Sequence, residues 1–310
     1  MPVDNCNANK YKYSAYGLTI SSELLLPELS AGEGSANVEI CLGKAMGERP
    51  DAPEGADYLY TVRNDLYFRI RGAGKYHVAG GKKIIVEPDE QADPESVKLF
   101  LLGTAMGAAL LQRGILPIHG SAVAAQGRCL ILTGLTGAGK STLSGALRNK
   151  GCSFLTDDVA ALVWDEHGAL WVQPGIPRQK LCRDSVETMG GDVDLYSQIN
   201  MDRDKYAIPV GRQFLAAPVR LSAICEIVPD DCEGVSMKEV TGTAKLAIFM
   251  KHTYRVELLR RIGLKQEHFR QCADAANKIP AYRLIRPRGR FTLEEQSRYV
   301  MDVLGIREKM

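Results

Sequence analysis

One stretch of nine residues constrains what this chain can fold into more than any other. Residues 134–142 read Gly-Leu-Thr-Gly-Ala-Gly-Lys-Ser-Thr and match the pattern G-x-x-x-x-G-K-[ST] at every fixed position. The apolar residues 129–132 precede this stretch, and residues 143–148, which suit a helix, follow it. This order predicts a strand, a tight glycine-rich loop and a helix that begins near the lysine.

The glycine-rich loop predicts a site for a polyphosphate. Its glycines let successive backbone N–H groups turn inward onto phosphate oxygens, and the helix N-terminus adds partial positive charge. Lys140 would reach the β- and γ-phosphates of ATP, and the Ser141 hydroxyl would bind Mg²⁺. The residues predicted to bind the nucleotide are Gly134, Leu135, Thr136, Gly137, Ala138, Gly139, Lys140, Ser141 and Thr142. The alternative is a glycine-rich turn that caps an ordinary helix.

Composition mainly excludes other classes of protein. The 310 residues are 45% hydrophobic and 25% charged with a net charge of +2, which suits a soluble chain of one or two domains. Neither nucleic acid nor a membrane is predicted as a partner, because one sign of charge is not in large excess. The apolar residues 99–111 are predicted to form a buried helix, too short to span a bilayer.

The N-terminus and the cysteines predict a cytoplasmic protein. The first 13 residues contain no apolar segment of the kind that a secretory signal needs. The eight cysteines are scattered without a C-x-x-C pair, which suits a reducing compartment and argues against structural zinc. Cys129, Cys152 and Cys225 lie in apolar runs and are predicted to be buried free thiols.

The pattern along the chain predicts an α/β protein with two domains. Short β-type runs separated by turn residues predict a β-rich domain over residues 1–92. A helix is predicted to begin after Asp93, with Pro94 in its first turn, and to end at Gly114. This helix would open a second domain, residues 93–310, in which strands and helices are mixed.

Three helices are predicted in the C-terminal part of the chain. Residues 243–262 and residues 265–277 each suit one helix. Thr292 and Glu295 have the spacing of a capping box, which predicts the start of a last helix.

Asp157 and Asp158 form the second feature that points to chemistry. They follow a short apolar strand predicted directly after the helix of the glycine-rich loop. Ligands of open α/β sheets bind outside the carboxyl ends of strands, so the pair is expected near the γ-phosphate. One carboxylate would hold Mg²⁺ and the other would accept a proton from an attacking hydroxyl. The alternative is an exposed turn in which Asp caps the next element.

His119 is the third feature, on the strand predicted to precede the loop strand. If the two strands pair, His119 lies near the phosphate site and could donate to phosphate or orient an Asp. A structural histidine at the start of a strand is the alternative. The histidines assigned no role are His77, His167, His252 and His268.

Together these three motifs resemble those of the HPr kinase/phosphorylase family of P-loop serine kinases. His119-Gly120, the glycine-rich loop and the Asp pair stand in the family's order, and the resemblance covers residues 116–163. It implies a P-loop core related in fold to phosphoenolpyruvate carboxykinase, with the β-rich region on its N-terminal side.

Looser matches extend over most of the chain and resemble HPr-kinase-related proteins found with lasso-peptide biosynthesis. They lie at residues 16–20, 22–24, 26–29, 100–120, 173–178 and 279–284. This resemblance implies a kinase that phosphorylates a seryl hydroxyl at the C-terminal end of a precursor peptide.

The family resemblance also implies roles for single residues. Lys140 and the loop would hold the phosphates, and Ser141 would bind Mg²⁺. Asp157 would be the base that takes the seryl proton, and Asp158 would lie near the metal. His119 would lie beside the reacting groups.

One position departs from the family pattern. Bifunctional HPr enzymes carry a Glu in a Gly-rich signature after the Asp pair, whereas the corresponding region here has Gln173. A neutral Gln cannot match a carboxylate as a ligand of Mg²⁺. The departure argues against phosphorylase activity and against a second metal site.

Several cations downstream could contact phosphate or substrate. Arg178, Lys205 and Arg212 could stabilise charge on a transferring phosphoryl group, with exposed surface cations as the alternative. The arginines of the tail could grip a carboxylate, although a solvated basic edge strand is the preferred interpretation. They are Arg283, Arg286, Arg288 and Arg290.

These features favour an ATP- and Mg²⁺-dependent serine kinase whose partner is a precursor peptide. One alternative is a serine kinase for HPr or another carrier protein. An alternative of another class is a regulatory or assembly NTPase that binds ATP without transferring phosphate. Homo-oligomerisation is left open.

Overall fold

The computed structural model describes residues 10–45, 56–200 and 204–306. Contacts divide the chain into two compact units, residues 1–113 with 257–263 and residues 114–256 with 264–310. The described residues form a mixed α/β structure with two eight-stranded sheets and a three-stranded sheet. The predictions for the first nine residues, including Cys6, and for loop residues 46–55 fall outside the described residues.

The first unit contains an eight-stranded sheet, as the β-type runs predict. Its order is β3-β1-β2-β4-β8-β7-β6-β5. The strands are β1 (Tyr11–Ala15), β2 (Leu18–Ser22), β3 (Ser30–Ala31), β4 (Val38–Leu42), β5 (Tyr58–Val62), β6 (Asp65–Ile70), β7 (Gly74–Ala79) and β8 (Lys83–Pro88). Arg63 and Asn64, both at positive φ, make the two-residue turn between β5 and β6.

A long helix of the first unit begins and ends where the sequence predicts. It comprises α1 (Pro94–Phe100), a π-helical segment (Leu101–Ala105) and α2 (Met106–Gln112). The Asp93 carboxylate caps it by accepting from the backbone N–H groups of Glu95 and Ser96. The prediction that this helix is too short to span a bilayer is wrong, because its 19 residues could cross one by length and composition alone. Of its apolar window, 56% is buried, as in the core helix of a globular protein.

The second unit contains the other two sheets. The order of the large one is β10-β9-β12-β13-β17-β19-β18, with β11 beside β9 and a further pairing of β10 with β17; the order of the small one is β14-β16-β15. The strands are β9 (Leu116–Ala125), β10 (Arg128–Thr133), β11 (Ser153–Thr156), β12 (Val159–Trp164), β13 (Leu170–Gln173), β14 (Arg178–Cys182), β15 (Ser197–Asn200), β16 (Lys205–Pro209), β17 (Val219–Asp230), β18 (Ser236–Val240) and β19 (Ala281–Pro287).

Helices cover both faces of the large sheet. One apolar core joins it to α5 and α7, and a second core joins it to α3 and α8. The helices are α3 (Lys140–Asn149), α4 (Arg183–Thr188), α5 (Gly242–Lys251), α6 (Val256–Arg261), α7 (Lys265–Lys278) and α8 (Leu293–Leu304), and α6 passes into the first unit after Val256. Cys129, Cys152 and Cys225 are buried free thiols, as predicted.

The prediction of one helix over residues 243–262 is wrong. The chain leaves helical geometry between α5 and α6, where Arg255 has a φ of +54°. There the His252 carbonyl accepts from the backbone N–H of His119 at 2.7 Å, and the Tyr254 N–H donates to the Pro117 carbonyl at 2.8 Å. Pairing with β9 thus replaces the hydrogen bonds that would have continued the helix.

The predicted capping box is also wrong. Thr292 is the N-cap of α8, but its side chain makes no hydrogen bond to the helix backbone. Its Oγ1 instead accepts a hydrogen bond from the side-chain amide of Gln296 at 3.0 Å. The hydroxyl is therefore part of a side-chain contact one turn into the helix.

Candidate functional site

Strand directions bring the sequence motifs to one edge of the large sheet. Both β10 and β11 are antiparallel to β9, so they run parallel to each other on its two sides. Their carboxyl ends, which lead to the glycine-rich loop and to Asp157, therefore share an edge. The early part of β9 lies at the same edge, because Gly120 pairs with Thr133 and His119 pairs with Val159.

The glycine-rich loop joins β10 to α3, and α3 begins at Lys140. Gly134, Gly137 and Gly139 all have positive φ, a backbone region that L side chains rarely adopt. At Gly134 a Cβ atom would also lie 2.6 Å from the Ile227 carbonyl oxygen of β17. Glycine is required here because the loop must turn sharply against a neighbouring strand.

Lys140 is a buried cation that folds back over its own loop. Its Nζ atom donates to the carbonyls of Gly134 at 3.0 Å and Leu135 at 3.2 Å. Burial lowers its pKa, and the nearby Asp157 and Asp158 oppose that effect only in part. An ammonium held by two carbonyls in a glycine-rich loop fits a polyphosphate ligand, which would supply the opposite charge.

Asp157 is the acidic residue that contacts the loop helix. Its side chain is 7% exposed, and Oδ1 accepts from Ser141 Oγ at 3.0 Å and from Ser121 Oγ. Oδ2 accepts from the backbone N–H of Lys180 at 2.8 Å. The carboxylate is therefore fixed beside the hydroxyl predicted to bind Mg²⁺, an oxygen donor set that suits this ion.

Asp158 has different partners and a strained backbone, with a φ of +71°. Its Oδ2 atom accepts from Lys180 Nζ at 2.9 Å, and its Oδ1 atom lies 3.5 Å from His119 Nδ1. Burial would raise the pKa of this carboxyl, but the charges of Lys180 and His119 outweigh it and lower the pKa to about 2. In turn, the Asp158 carboxylate outweighs burial at Lys180 and raises the pKa of that ammonium.

His119 and Gly120 each have a distinct place at this edge. The His119 ring stacks on Tyr254 at 5.9 Å, and burial lowers its pKa more than Asp158 raises it. A Cβ atom on Gly120 would lie 2.4 Å from the Leu132 carbonyl oxygen. The glycine therefore lets β9 pair closely with β10, while the histidine reaches the Asp pair.

A cleft of about 750 Å³ opens over these residues. It is lined by His119, Lys140, Ser141, Asp157 and Asp158 together with Lys180 and Lys205, and by Arg286 and Arg290 of the tail. Arg178, Arg212 and Gln173 are not among the described residues that line it. Of the three predicted substrate cations, the structure thus brings only Lys205 to this cleft.

Sequence reasoning missed Ser121 and Lys180 and misjudged the tail. Lys180 lies 22 positions from Asp158 in the sequence and on a strand of the other sheet, so only the packing of the small sheet beside Asp157 and Asp158 brings the two together. The preferred interpretation of the tail as an edge strand is wrong, because β19 lies between β17 and β18. Arg286 donates from Nε to the Ala138 carbonyl at 2.9 Å and from Nη2 to the Gly137 carbonyl at 3.4 Å.

Glu226 is a buried carboxylate on β17, where it pairs with Thr133 of β10. It contacts His252 Nε2 at 2.9 Å, and Arg283 donates from Nη2 at 2.8 Å and from Nε at 2.9 Å. The bond to His252 is the largest effect on the pKa of the Glu226 carboxyl and lowers it. Burial raises this pKa, but His252 and Arg283 together outweigh burial and lower it to about 2. Arg283 of the tail is therefore part of an ion cluster around the buried Glu226.

We expect this cluster to make stability depend on pH under acidic conditions. The folded-state pKa of Glu226 is about 2 against 4.5 for the free group, so its contribution is fully present above pH 4.5 and is lost as pH falls towards 2. Between pH 7 and pH 3 the loss amounts to about 2 kcal/mol. The measurement is urea unfolding of the wild-type chain and of E226Q at each pH. The difference between their free energies of unfolding gives the contribution of Glu226 at that pH.

Glu239→Gln, at an exposed position on β18, is the matched control for that titration. E239Q leaves the contacts of Glu226 in place, so its stability should fall between pH 7 and pH 3 as that of wild type does. A constant stability difference between wild type and E226Q would show that Glu226 keeps its ordinary pKa in the folded protein.

The chain was compared with known proteins. No family model matches it, and no curated protein matches it. A solved structure to which it is similar is that of the HPr(Ser) kinase/phosphatase from Coxiella burnetii, at 14% identity and a TM-score of 0.32, over 60% of this chain and 88% of that one. A TM-score of this size does not establish a shared fold, so the function is argued from the residues and geometry described above.

Proposed function

We propose that this chain is an ATP- and Mg²⁺-dependent serine kinase whose acceptor is a peptide, the C-terminal Ser of a lasso-peptide precursor. The observation that carries the proposal is the bond between Asp157 and Ser141 at the start of the loop helix, beside the buried Lys140. This bond places a carboxylate beside a glycine-rich loop of the phosphate-binding type. Phosphoryl transfer to a hydroxyl needs both, a loop that binds the phosphates and a base that accepts the proton. Every residue of this site belongs to the second unit.

We assign the role of proton acceptor to Asp157 because the contacts of the two aspartates differ. Asp158 is bonded to an ammonium and has a pKa of about 2, which makes it a weak base. The partners of Asp157 are two hydroxyls and one backbone N–H, which do not neutralise its charge. Because Asp157 also contacts Ser141, a metal bound by Ser141 would lie next to Asp157. Asp158 would lie near the same metal.

In the proposed reaction the seryl oxygen attacks the γ-phosphorus while its proton passes to Asp157. The bond from the γ-phosphorus to the bridging oxygen breaks, and ADP leaves with the electron pair. Lys140 and the loop N–H groups would hold the phosphate oxygens, and Ser141 would hold Mg²⁺, which would supply positive charge to the transferring phosphoryl group. His119 would act beside the reacting groups through its contact with Asp158.

Lys180 and Lys205 extend this site with positive charge. Both line the cleft, and Lys180 is oriented by Asp158. Cations placed at the mouth of the loop would stabilise charge on the phosphoryl group in transit. Arg178 and Arg212 do not line the cleft in the described structure, so we do not propose that they contact the phosphoryl group.

The proposal is tested by intact-mass analysis after incubation with ATP and Mg²⁺. Three acceptors are offered separately: a precursor peptide ending in Ser, the same peptide ending in Ala, and HPr. A phosphoryl group gained by the Ser-terminated peptide alone supports the proposal. Label on HPr alone would make the chain a carrier-protein kinase, and ATP hydrolysis without any phosphorylated product would make it a regulatory NTPase. The proposal places the enzyme in the cytoplasm, where its thiols stay reduced.

A further inference from the structure

The cleft continues beyond the glycine-rich loop to the segment that follows β19. Phe291 lines this end of the cleft and exposes 61% of its surface. Its neighbours Thr292 and Gln296 also line the cleft, although Gln296 is only 3% exposed. A large exposed ring at the rim of a pocket is costly in water and suits a flat apolar ligand.

The position of Phe291 relative to the chemistry indicates which part of a ligand it meets. Asp157 holds Ser141, whereas Arg286, at the end of β19, holds the carbonyls of Gly137 and Ala138. A triphosphate whose terminal phosphate lies at Asp157 would therefore direct its nucleoside end towards Arg286 and the residues after it. Phe291 is five residues beyond Arg286 and lines the same cleft.

Gln296 adds a polar edge to this end of the cleft. Its Nε2 atom donates to Thr292 Oγ1 at 3.0 Å, which fixes the orientation of the amide. The amide oxygen then remains as an acceptor, since no donor among the described residues bonds to it. An acceptor fits the exocyclic amino group of adenine and opposes the exocyclic oxygen of guanine at the same position.

We propose that Phe291 and Gln296 form the base subsite of the nucleotide, with the Phe291 ring stacked on the base and the Gln296 oxygen selecting adenine. The proposal rests on the proposed function, because it assigns the nucleoside end of the same ATP. Stacking on an aromatic side chain is worth about 1–3 kcal/mol per base by alanine substitution, which corresponds to about a 5- to 150-fold change in affinity.

Calorimetric titration with ATP, GTP and inorganic tripolyphosphate tests the subsite. We expect F291A to bind ATP about 5- to 150-fold more weakly while its affinity for tripolyphosphate stays unchanged. F291Y keeps a ring and should retain most of the affinity for ATP. The matched control is F269A, since Phe269 is 49% exposed on α7 and does not line the cleft in the described structure.

Gln296→Leu removes the acceptor at similar volume, and we expect the preference for ATP over GTP to fall towards one. Thermal unfolding of each variant verifies that it is folded. If Q296L does not fold, the binding of ATP and tripolyphosphate by F291A and F291Y still tests the base subsite. Equal weakening of ATP and tripolyphosphate in F291A, or no weakening of either, overturns the base subsite. Equal affinity of the wild-type chain for ATP and for tripolyphosphate also overturns the base subsite, but it agrees with a phosphate site at the glycine-rich loop. Binding of neither ligand by wild type would instead overturn the proposed function, and the subsite with it.

Discussion

Asp157→Asn is expected to lower the rate of phosphotransfer by about 10²- to 10⁴-fold, the range typical for loss of a general base. The substitution keeps the shape of the side chain and leaves an oxygen that can still accept from Ser141. A carboxamide, however, cannot take the seryl proton. Affinity for ATP should change by less than about threefold, because the loop and Lys140 are untouched. Single-turnover mass analysis gives the rate, and calorimetry gives the affinity.

Asp184→Asn is the matched control for Asp157→Asn. Asp184 is a carboxylate that lines the same cleft, so its loss changes the local charge equally. We expect D184N to keep a rate within a few-fold of wild type. Full phosphotransfer by D157N would remove the assignment of Asp157 as the base, whereas equal losses in both variants would indicate a general effect of charge.

Lys140→Ala is expected to abolish phosphotransfer and to weaken binding of ATP about 10- to 100-fold. Hydrogen bonds to charged groups are worth about 1.5–3 kcal/mol, and Lys140 would make such bonds to the β- and γ-phosphates. The same substitution should not lower the melting temperature, because burial lowers the pKa of Lys140 and thus disfavours the ammonium in the folded chain. Calorimetry and thermal unfolding give the two readouts.

Lys150→Ala is the control for Lys140→Ala. Lys150 follows the last residue of the same helix and pairs with Glu294 at 2.7 Å, and the described cleft does not include it. Binding of ATP by K150A should equal that of wild type. Normal binding of ATP by K140A would show that the glycine-rich loop is not the nucleotide site.

Local sequence patterns predicted several helices and strands of both units, because the residues that encode each of them are contiguous. The strand before the loop, the helix after it and the helix from Pro94 are encoded by contiguous residues: apolar runs, glycines at positive φ and an Asp cap. The same local patterns failed where distant backbone competed. The helix predicted over residues 243–262 breaks because residues 252–254 bond to β9. The predicted capping box does not form, and the Thr292 hydroxyl instead accepts from the side-chain amide of Gln296.

The candidate site divides in the same way. His119, Lys140 and the Asp pair were predicted as site residues from motifs, and strand register places them at one edge of the sheet. The partner of each carboxylate could not be predicted, since Lys180 and Ser121 carry no signature in their own neighbourhoods. Arg178 and Lys180 differ by two positions on β14, yet only Lys180 lines the cleft.

The sequence by itself determined the glycine-rich loop and its flanking strand and helix, because backbone conformation at glycines and helix ends depends on adjacent residues. Only the tertiary structure decided that Asp157 contacts Ser141, that Asp158 is paired with Lys180, and that the tail brings Arg286 and Phe291 to the loop. These contacts join residues far apart in the chain. They depend on the register of strands and on what packs beside them, which no short stretch of sequence contains.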